Sequence, residues 1–75
     1  MERDRQLKVL GRHIRAIREN LGITQDQMAF KVGFSRSYYS GIERGVRNIS
    51  AINLIKLAMV LEIEVGELFP PSSQL

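Results

Sequence analysis

Apolar residues recur along the chain at the spacing of amphipathic helices. The first stripe steps by three or four residues, and charged side chains occupy the other faces. Its members are Leu7, Leu10, Ile14, Ile17 and Leu21. Gly22 follows where a left-handed C-terminal cap belongs, so the pattern predicts one helix that ends just before this glycine.

Two shorter helices are predicted next, each delimited by a capping residue and a glycine. A helix over about 25 to 32 follows Thr24, which forms a capping-box pattern with the glutamine three positions later. A further helix over 36 to 44 follows the N-cap candidate Ser35 and stops at Gly45. The link between the two helices is therefore only a turn.

The last third of the chain predicts a fourth helix with two apolar faces. From about 50 to 61, one stripe is expected to face the core: Leu54, Leu57, Ala58 and Leu61. A second stripe, of Ile52, Ile55 and Met59, lies roughly 140° away on the helical wheel and must also be buried by something. A short fifth helix is expected at about 65 to 68, before a frayed terminus over 70 to 75, "PPSSQL".

These elements predict an all-α fold, a compact five-helix domain that occupies residues 1–75 as one unit. Seventy-five residues are too few for a second domain. The absence of cysteine excludes a disulfide framework, thiolate metal sites and a thiol nucleophile. No apolar run approaches the roughly 20 residues needed to cross a bilayer, and no secretory signal is apparent. We therefore expect a cytoplasmic protein with no membrane partner.

The net charge of +3 conceals an uneven distribution. Up to Asn48 there are ten basic and five acidic side chains, whereas from Ile49 onward one lysine opposes three glutamates. The first two thirds of the chain thus carry about +5 and the remainder −2. This asymmetry predicts that one end binds a polyanion and the other does not.

The second and third helices have the plan of a helix-turn-helix, over 25 to 44. With Gln25 as the first position, Ala29 is fifth, Gly33 ninth, Tyr39 fifteenth and Ile42 eighteenth. Two crossing helices need a small contact, a turn and two buried side chains at those positions. Tyr39 is accordingly expected in the core, with its hydroxyl at the surface, while the opposite face of its helix is polar.

The segment "ITQDQMAFKVGFSRSYYSGIERGVRNIS" resembles the helix-turn-helix of the phage-repressor and Cro superfamily. Together with "INLIKLAMVLEIEVGELF", its second half is similar to the controller proteins of restriction-modification systems. The resemblance extends from about Leu7 to Phe69. It implies a lambda-repressor-like domain that binds double-stranded DNA in the major groove and regulates transcription in a bacterium or phage, at the nucleoid.

The resemblance also implies roles for individual residues. Arg36 stands at the second position of the third helix, where a guanidinium can contact guanine O6 and N7 together. Gly41 is expected to leave the helix surface bare and so permit close approach of DNA. The full set of expected DNA-binding residues is Gln25, Ser35, Arg36, Ser37, Tyr38, Ser40, Arg44, Arg47 and Asn48.

Two further sets follow from the resemblance. Arg18 and Glu43 are expected to pair between the first and third helices, so that the acid is structural. A homodimer interface is expected in the region of about 49 to 69, and its candidate residues are Ile52, Ile55, Met59, Ile63 and Val65. Two dimers on tandem sites and RNA polymerase are further implied partners.

Other classes of function remain open from the sequence. A small phage or chromosomal repressor and a DNA-binding antitoxin use the same fold, and a protein-interaction module without DNA binding is a third possibility. An enzyme is not expected. His13 has no second histidine, cysteine or paired acid nearby in the pattern, so we expect no catalytic residue, no metal site and no cofactor.

Overall fold

The computed structural model describes residues 2–75, which form four α-helices and two single turns of 3-10 helix, with no strand in that range. The helices are α1 (Glu2–Asn20), α2 (Gln25–Val32), α3 (Arg36–Arg44) and α4 (Ala51–Leu61). The 3-10 turns are Val65–Leu68 and Ser72–Gln74. The all-α prediction is confirmed, and the expected short fifth helix is the first of the 3-10 turns.

Side-chain caps determine where α2, α3 and α4 begin. Thr24 accepts a hydrogen bond from the Gln27 backbone at 3.1 Å, and the Gln27 amide oxygen accepts one from the Thr24 backbone at 2.9 Å, which completes the predicted capping box. Ser35 and Ser50 cap α3 and α4 in the same manner, through the backbone N–H groups three residues on. Each cap satisfies an amide that the helix itself leaves unpaired.

One hydrophobic core joins all the helices. It consists of Leu10 and Ile14 from α1, Met28 and Ala29 from α2, Tyr39 and Ile42 from α3, Ile49, the α4 residues Leu57, Ala58 and Leu61, and Leu68. Both halves of the helix-turn-helix and the inward stripe of α4 therefore contribute to a single cluster, which fixes α3 relative to the rest of the molecule.

Two glycines allow α1 to pass very close to the end of α3. A Cβ atom at Gly11 would lie 2.5 Å from the carbonyl oxygens of both Ile42 and Glu43. A Cβ atom at Gly45, where φ is 73°, would lie 2.5 Å from the Lys8 Cα. Neither position has room for a side chain, so α1 and the C-terminal end of α3 are held backbone to backbone.

Leu21, predicted as the last member of the α1 stripe, is 52% exposed instead of buried. The helix ends at Asn20, and Gly22 adopts a φ of 71°, which redirects the chain toward α2. The Leu21 amide still donates to the Ile17 carbonyl at 3.2 Å, so the backbone completes the last turn while the side chain faces outward.

The C-terminal segment differs from the frayed end that the sequence suggests. Residues 72–74 form a 3-10 turn, and the Gln6 side chain donates to the Leu75 carbonyl at 2.9 Å. The Arg5 guanidinium donates to the carbonyls of Gln74, at 3.0 Å, and Leu75. The tail thus packs along α1, where Leu75 closes an apolar groove beside Leu7, Leu10 and Phe69.

Candidate nucleic-acid interface

The turn between α2 and α3 is set by Gly33 and Ser35. Gly33 adopts a φ of 82°, and its amide donates to the Ala29 carbonyl at 2.9 Å. Ser35 then starts α3 by accepting from the Tyr38 amide at 3.1 Å. Ala29, Tyr39 and Ile42 are at most 4% exposed. The residues predicted to join the two helices of a helix-turn-helix are therefore the residues that do so.

The opposite side of α3 carries the polar residues. Arg36, Ser37 and Arg44 are exposed, while Ser40 and Tyr38 are half-buried. The Tyr38 ring lies edge-on to Phe34, with ring centroids 5.1 Å apart. Its hydroxyl accepts a hydrogen bond from the Asn53 amide group at 3.0 Å. Tyr38 therefore connects the start of α3 to α4, and its hydroxyl proton remains available to a ligand.

A buried ion pair lies behind this surface. The Arg18 guanidinium donates from Nε to one carboxylate oxygen of Glu43 at 2.6 Å and from Nη2 to the other at 3.0 Å. The side chains are only 8% and 2% exposed. Arg18 also donates to the Ile23 carbonyl at 2.7 Å. The pair thus joins α1, the α1–α2 turn and α3, and Glu43 presents no free negative charge to a polyanion.

Hydrogen bonds decide the charge state of Glu43. Burial on its own would raise the pKa of this carboxyl group, but the hydrogen bonds from Arg18, Tyr39 and Gln25 outweigh burial and lower the pKa below its ordinary value. The Tyr39 hydroxyl is not at the surface as the sequence suggests, because it donates to Glu43 inside the protein. Burial and the neighbouring carboxylate raise the pKa of Tyr39, which keeps it a donor.

Gln25 extends this network to the base-reading candidate Arg36. Its amide nitrogen donates to Glu43 at 2.8 Å, and its amide oxygen accepts from the Arg36 guanidinium at 3.1 Å. Arg36 also forms an ion pair with Asp26 at the start of α2. The Arg36 head is therefore positioned over the N-terminus of α2, although its side chain is 56% exposed.

The sequence alone does not identify Asp26 as a partner of Arg36. It stands ten residues from its partner, and no periodicity within one helix connects them. In the sequence, the one indication of this contact is that Asp26 lies in the first turn of α2, whereas the first turn of α3 contains no acid. The ion pair joins two different helices, so it can be identified only when the positions of α2 and α3 relative to each other are known.

The segment after α3 provides a second group of polar residues. Arg44, Arg47 and Asn48 are all exposed, as is Val46. The expectation that Gly41 leaves the helix surface bare is wrong, since the stem of Arg47 covers it. A Cβ atom at Gly41 would lie 2.6 Å from the Arg47 Cγ. The glycine accommodates Arg47 against α3 and so fixes where that guanidinium leaves the surface.

The second stripe of α4 is exposed to solvent. Ile52, Ile55 and Met59 are 63%, 42% and 72% exposed, and Val65 is 38% exposed. Ile63 differs from them because it is partly buried and packs against the core. The surface formed by Ile52, Ile55, Met59 and Val65 is called the α4 apolar face below.

Other classes of site find no support in the described part of the chain. Among residues 2–75, no group of three or more His, Asp or Glu side chains could hold a metal ion. The His13 ring instead contacts the Glu67 carbonyl at 3.0 Å, which ties α1 to the first 3-10 turn. None of the helices in this range is sufficiently long and apolar to cross a membrane.

Comparisons with known proteins identify the family and the fold of the chain. A helix-turn-helix family model matches residues 14–68. The control protein C.MunI of a Mycoplasma species is 40% identical over 52 residues, which cover 69% of this chain and 70% of that protein. The structure of the restriction-modification controller protein C.AhdI from Aeromonas hydrophila superposes with a TM-score of 0.82 at 46% identity, over 84% of this chain and 96% of that one. The biofilm regulator SinR, solved in complex with DNA, superposes with a TM-score of 0.74 at 35% identity, over 79% and 95% of the two chains.

Proposed function

The chain belongs to the helix-turn-helix family of DNA-binding transcription regulators, and on that premise we propose that it is the autoregulating controller of a restriction-modification system. It acts as a homodimer on palindromic operators in the DNA of a bacterial or phage host. The observation that carries this proposal is the exposed polar side of α3, positioned by a buried ion pair, together with the exposed α4 apolar face.

Sequence is read by the first half of α3. The Arg36 guanidinium has five N–H donors in a fixed fork, which suits the paired acceptors of guanine in the major groove. Its contacts with Gln25 and Asp26 restrict its rotamers before DNA arrives, so less side-chain entropy is lost on binding. When Arg36 contacts guanine, its guanidinium leaves Asp26 and donates to the O6 and N7 acceptors of the base instead. Ser37 and the Tyr38 hydroxyl lie against base edges and the adjoining sugar-phosphate.

Phosphate contacts surround this reading surface and hold it in register. On one side, Gln25 at the start of α2 and Ser35 in the turn face one strand. On the other side, Arg44, Arg47 and Asn48 follow the end of α3. Ser40, half-buried on α3, contacts the backbone between them. These contacts account for affinity and for its dependence on salt, whereas α3 accounts for sequence preference.

The α4 apolar face supplies the dimer contact. Three exposed large hydrophobic side chains on one face of a helix are unusual in a small monomer, and the segment of chain from Ile49 onward carries a net charge of −2, which does not favour DNA binding. Ile63 supports the contact from the core side and Val65 extends it. A twofold dimer places two α3 helices in successive major grooves, about 34 Å apart, over a palindrome.

Regulation then depends on the concentration of the protein itself. Because only the dimer spans both half-sites, occupancy rises more steeply than in proportion to the amount of protein. Two dimers on tandem sites would fill in order of affinity, so that one site activates transcription through RNA polymerase and the other represses it. Under this arrangement, full transcription is delayed until the protein accumulates and is then limited by repression.

Replacing Met59 with glutamate is expected to abolish dimerisation. Met59 is 72% exposed, so the monomer should remain folded. In the dimer, two like charges would be brought into an apolar contact at a cost of several kcal/mol, which weakens the dimer more than about 100-fold. Sedimentation equilibrium checks this result, and circular dichroism checks the fold.

Leu21→Glu is the matched control, because Leu21 is also an exposed apolar residue but lies at the end of α1. It should leave the dimer unchanged. A dimer of wild-type strength for Met59→Glu, or loss of the dimer with both variants, would remove the α4 apolar face as the interface.

A further inference from the structure

An open cleft of about 400 Å³ lies between the N-terminal half of α1 and the loop that follows α3. The residues that line it are Arg3, Asp4, Leu7 and Lys8 from α1 and Gly45, Val46 and Asn48 from the loop. The loop wall is continuous with the segment that carries Arg44 and Arg47. None of the α1 residues was among those expected to contact DNA, so the cleft is not accounted for by the surface described above.

Tight packing at one end determines the shape of the cleft. The Lys8 Cα would lie 2.5 Å, and its Cγ 2.7 Å, from a Cβ atom at Gly45. Lys8 thus leaves α1 directly beside the point where α3 ends, at a position fixed by backbone contact. Asn48 follows three residues after Gly45 and faces the same space. The two walls are therefore held in a constant relation to α3.

Within residues 2–75, the two cations that line the cleft form no ion pair. In residues 2–75, the ion pairs of α1 are made by Arg5, Arg15 and Arg18. Arg3 and Lys8 take part in none of these pairs. Asp4 is the one acid lining the cleft, so its walls carry a net charge of about +1 before the adjoining Arg44 and Arg47 are counted.

An exposed apolar side chain also lines the cleft. Val46 is 58% exposed, and in the sequence it stands between Arg44, the last residue of α3, and Arg47. The amide of Asn48 and the ammonium group of Lys8 come from opposite walls, and with the aliphatic Val46 they match a phosphodiester followed by a deoxyribose ring.

We propose that this cleft binds a backbone phosphate of the operator beyond those held by the loop itself, with Arg3 and Lys8 as its ligands. The DNA strand that passes Arg44 and Arg47 continues past Asn48 and over Val46 into the cleft. The contact adds affinity and lengthens the footprint without reading sequence. This inference rests on the proposed function and extends its binding surface onto α1.

Salt dependence of binding tests the inference on the full-length chain. The double variant Arg3→Gln, Lys8→Gln keeps the β and γ carbons that pack beside Gly45 but removes both charges. Binding is measured by fluorescence anisotropy from 50 to 200 mM salt, on duplex from upstream of the chain's own gene and on scrambled duplex. The double variant loses one phosphate contact, which should reduce the slope of log affinity against log salt by about 0.9 per bound chain on both duplexes.

Arg12→Gln is the matched control, since it removes one charge from the same helix one turn beyond Lys8, outside the cleft. It should change the slope by much less. A scan of single neutral methylphosphonates along the upstream duplex should also find a position that weakens the wild type and not the double variant.

Three results would overturn the inference. The slope of the double variant could equal that of the wild type, it could fall only as far as in Arg12→Gln, or no methylphosphonate position could distinguish the two proteins. In each case the wild type would still prefer its upstream duplex, and the proposed function would stand. If the wild type itself showed no salt-dependent preference for that duplex, the proposed function would fail together with the cleft.

Discussion

Replacing Glu43 with glutamine is expected to lower the free energy of unfolding by about 3–5 kcal/mol. Arg18 is only 7% exposed, and the change leaves its guanidinium group buried without the carboxylate that balances its charge. It also weakens the acceptor that Tyr39 and Gln25 share. In a domain of this size each kcal/mol corresponds to roughly 4–8 °C, so the melting temperature should fall by more than about 12 °C.

The same variant should change how stability depends on pH. The pKa of Glu43 is lowered in the folded protein from an ordinary value near 4.5. Its contribution is therefore fully present above that value and is lost as the pH falls through the folded pKa. Between pH 6 and pH 3 the wild type should lose stability that Glu43→Gln does not, as measured by urea denaturation at each pH.

Glu19→Gln is the control for this experiment. Glu19 pairs with Arg15 at 3.2 Å, but both side chains are more than half exposed, so the loss should be below about 0.5 kcal/mol. If Glu43→Gln proved as mild as Glu19→Gln, or if the two proteins lost stability in parallel as the pH fell, the buried pair would not be what holds α1 to α3.

Replacing Arg36 with alanine is expected to remove sequence preference while leaving general DNA affinity nearly intact. The loss on the cognate operator should be about 1–3 kcal/mol per half-site, because a bidentate contact to guanine is absent, and the loss on random duplex should be small. Arg36 is more than half exposed and bonded only to surface partners, so the fold should not change.

Arg44→Ala serves as the comparison, because Arg44 is an exposed base at the other end of the same helix and is proposed to contact phosphate. It should weaken cognate and random duplex alike and reduce the salt slope by about 1 per chain. Equal losses on both duplexes for Arg36→Ala would exclude it as the base-reading residue and shift that role to Ser37 and Tyr38.

Local sequence patterns predicted the elements of the fold because caps and glycines act within a few residues. The Thr24 and Gln27 capping box, the left-handed Gly33 and the Ser50 cap each depend on neighbours at most five positions away. The inward stripe of α4 is also a local property, and Leu57, Ala58 and Leu61 are buried as predicted.

Features that depend on contacts between elements could not be derived in this manner. The hydrogen bond of the Tyr39 hydroxyl depends on the position of the Arg18–Glu43 ion pair. The burial of Gly41 depends on the Arg47 side chain, which packs against α3. The ordered tail depends on Arg5 and Gln6, nearly 70 residues away along the chain. Helical periodicity predicts which side chains of the proposed interface are exposed. The contacts of Arg36 with Asp26 and Gln25 can be predicted only when the packing of α2 against α3 is known.

Binding of the wild-type protein to duplex from upstream of its own gene, compared with scrambled duplex at several salt concentrations, decides whether the chain is a sequence-specific autoregulator. Fluorescence anisotropy with a stoichiometric titration supplies both affinity and the number of chains bound. A specific, autoregulating dimer predicts tight, salt-sensitive binding of the upstream duplex with two chains per site. Typical specific binding is at least 10³-fold tighter than non-specific binding. Equal, weak binding to both duplexes would contradict the proposed function, because the polar side of α3 would then read no base in the DNA that the protein is proposed to control.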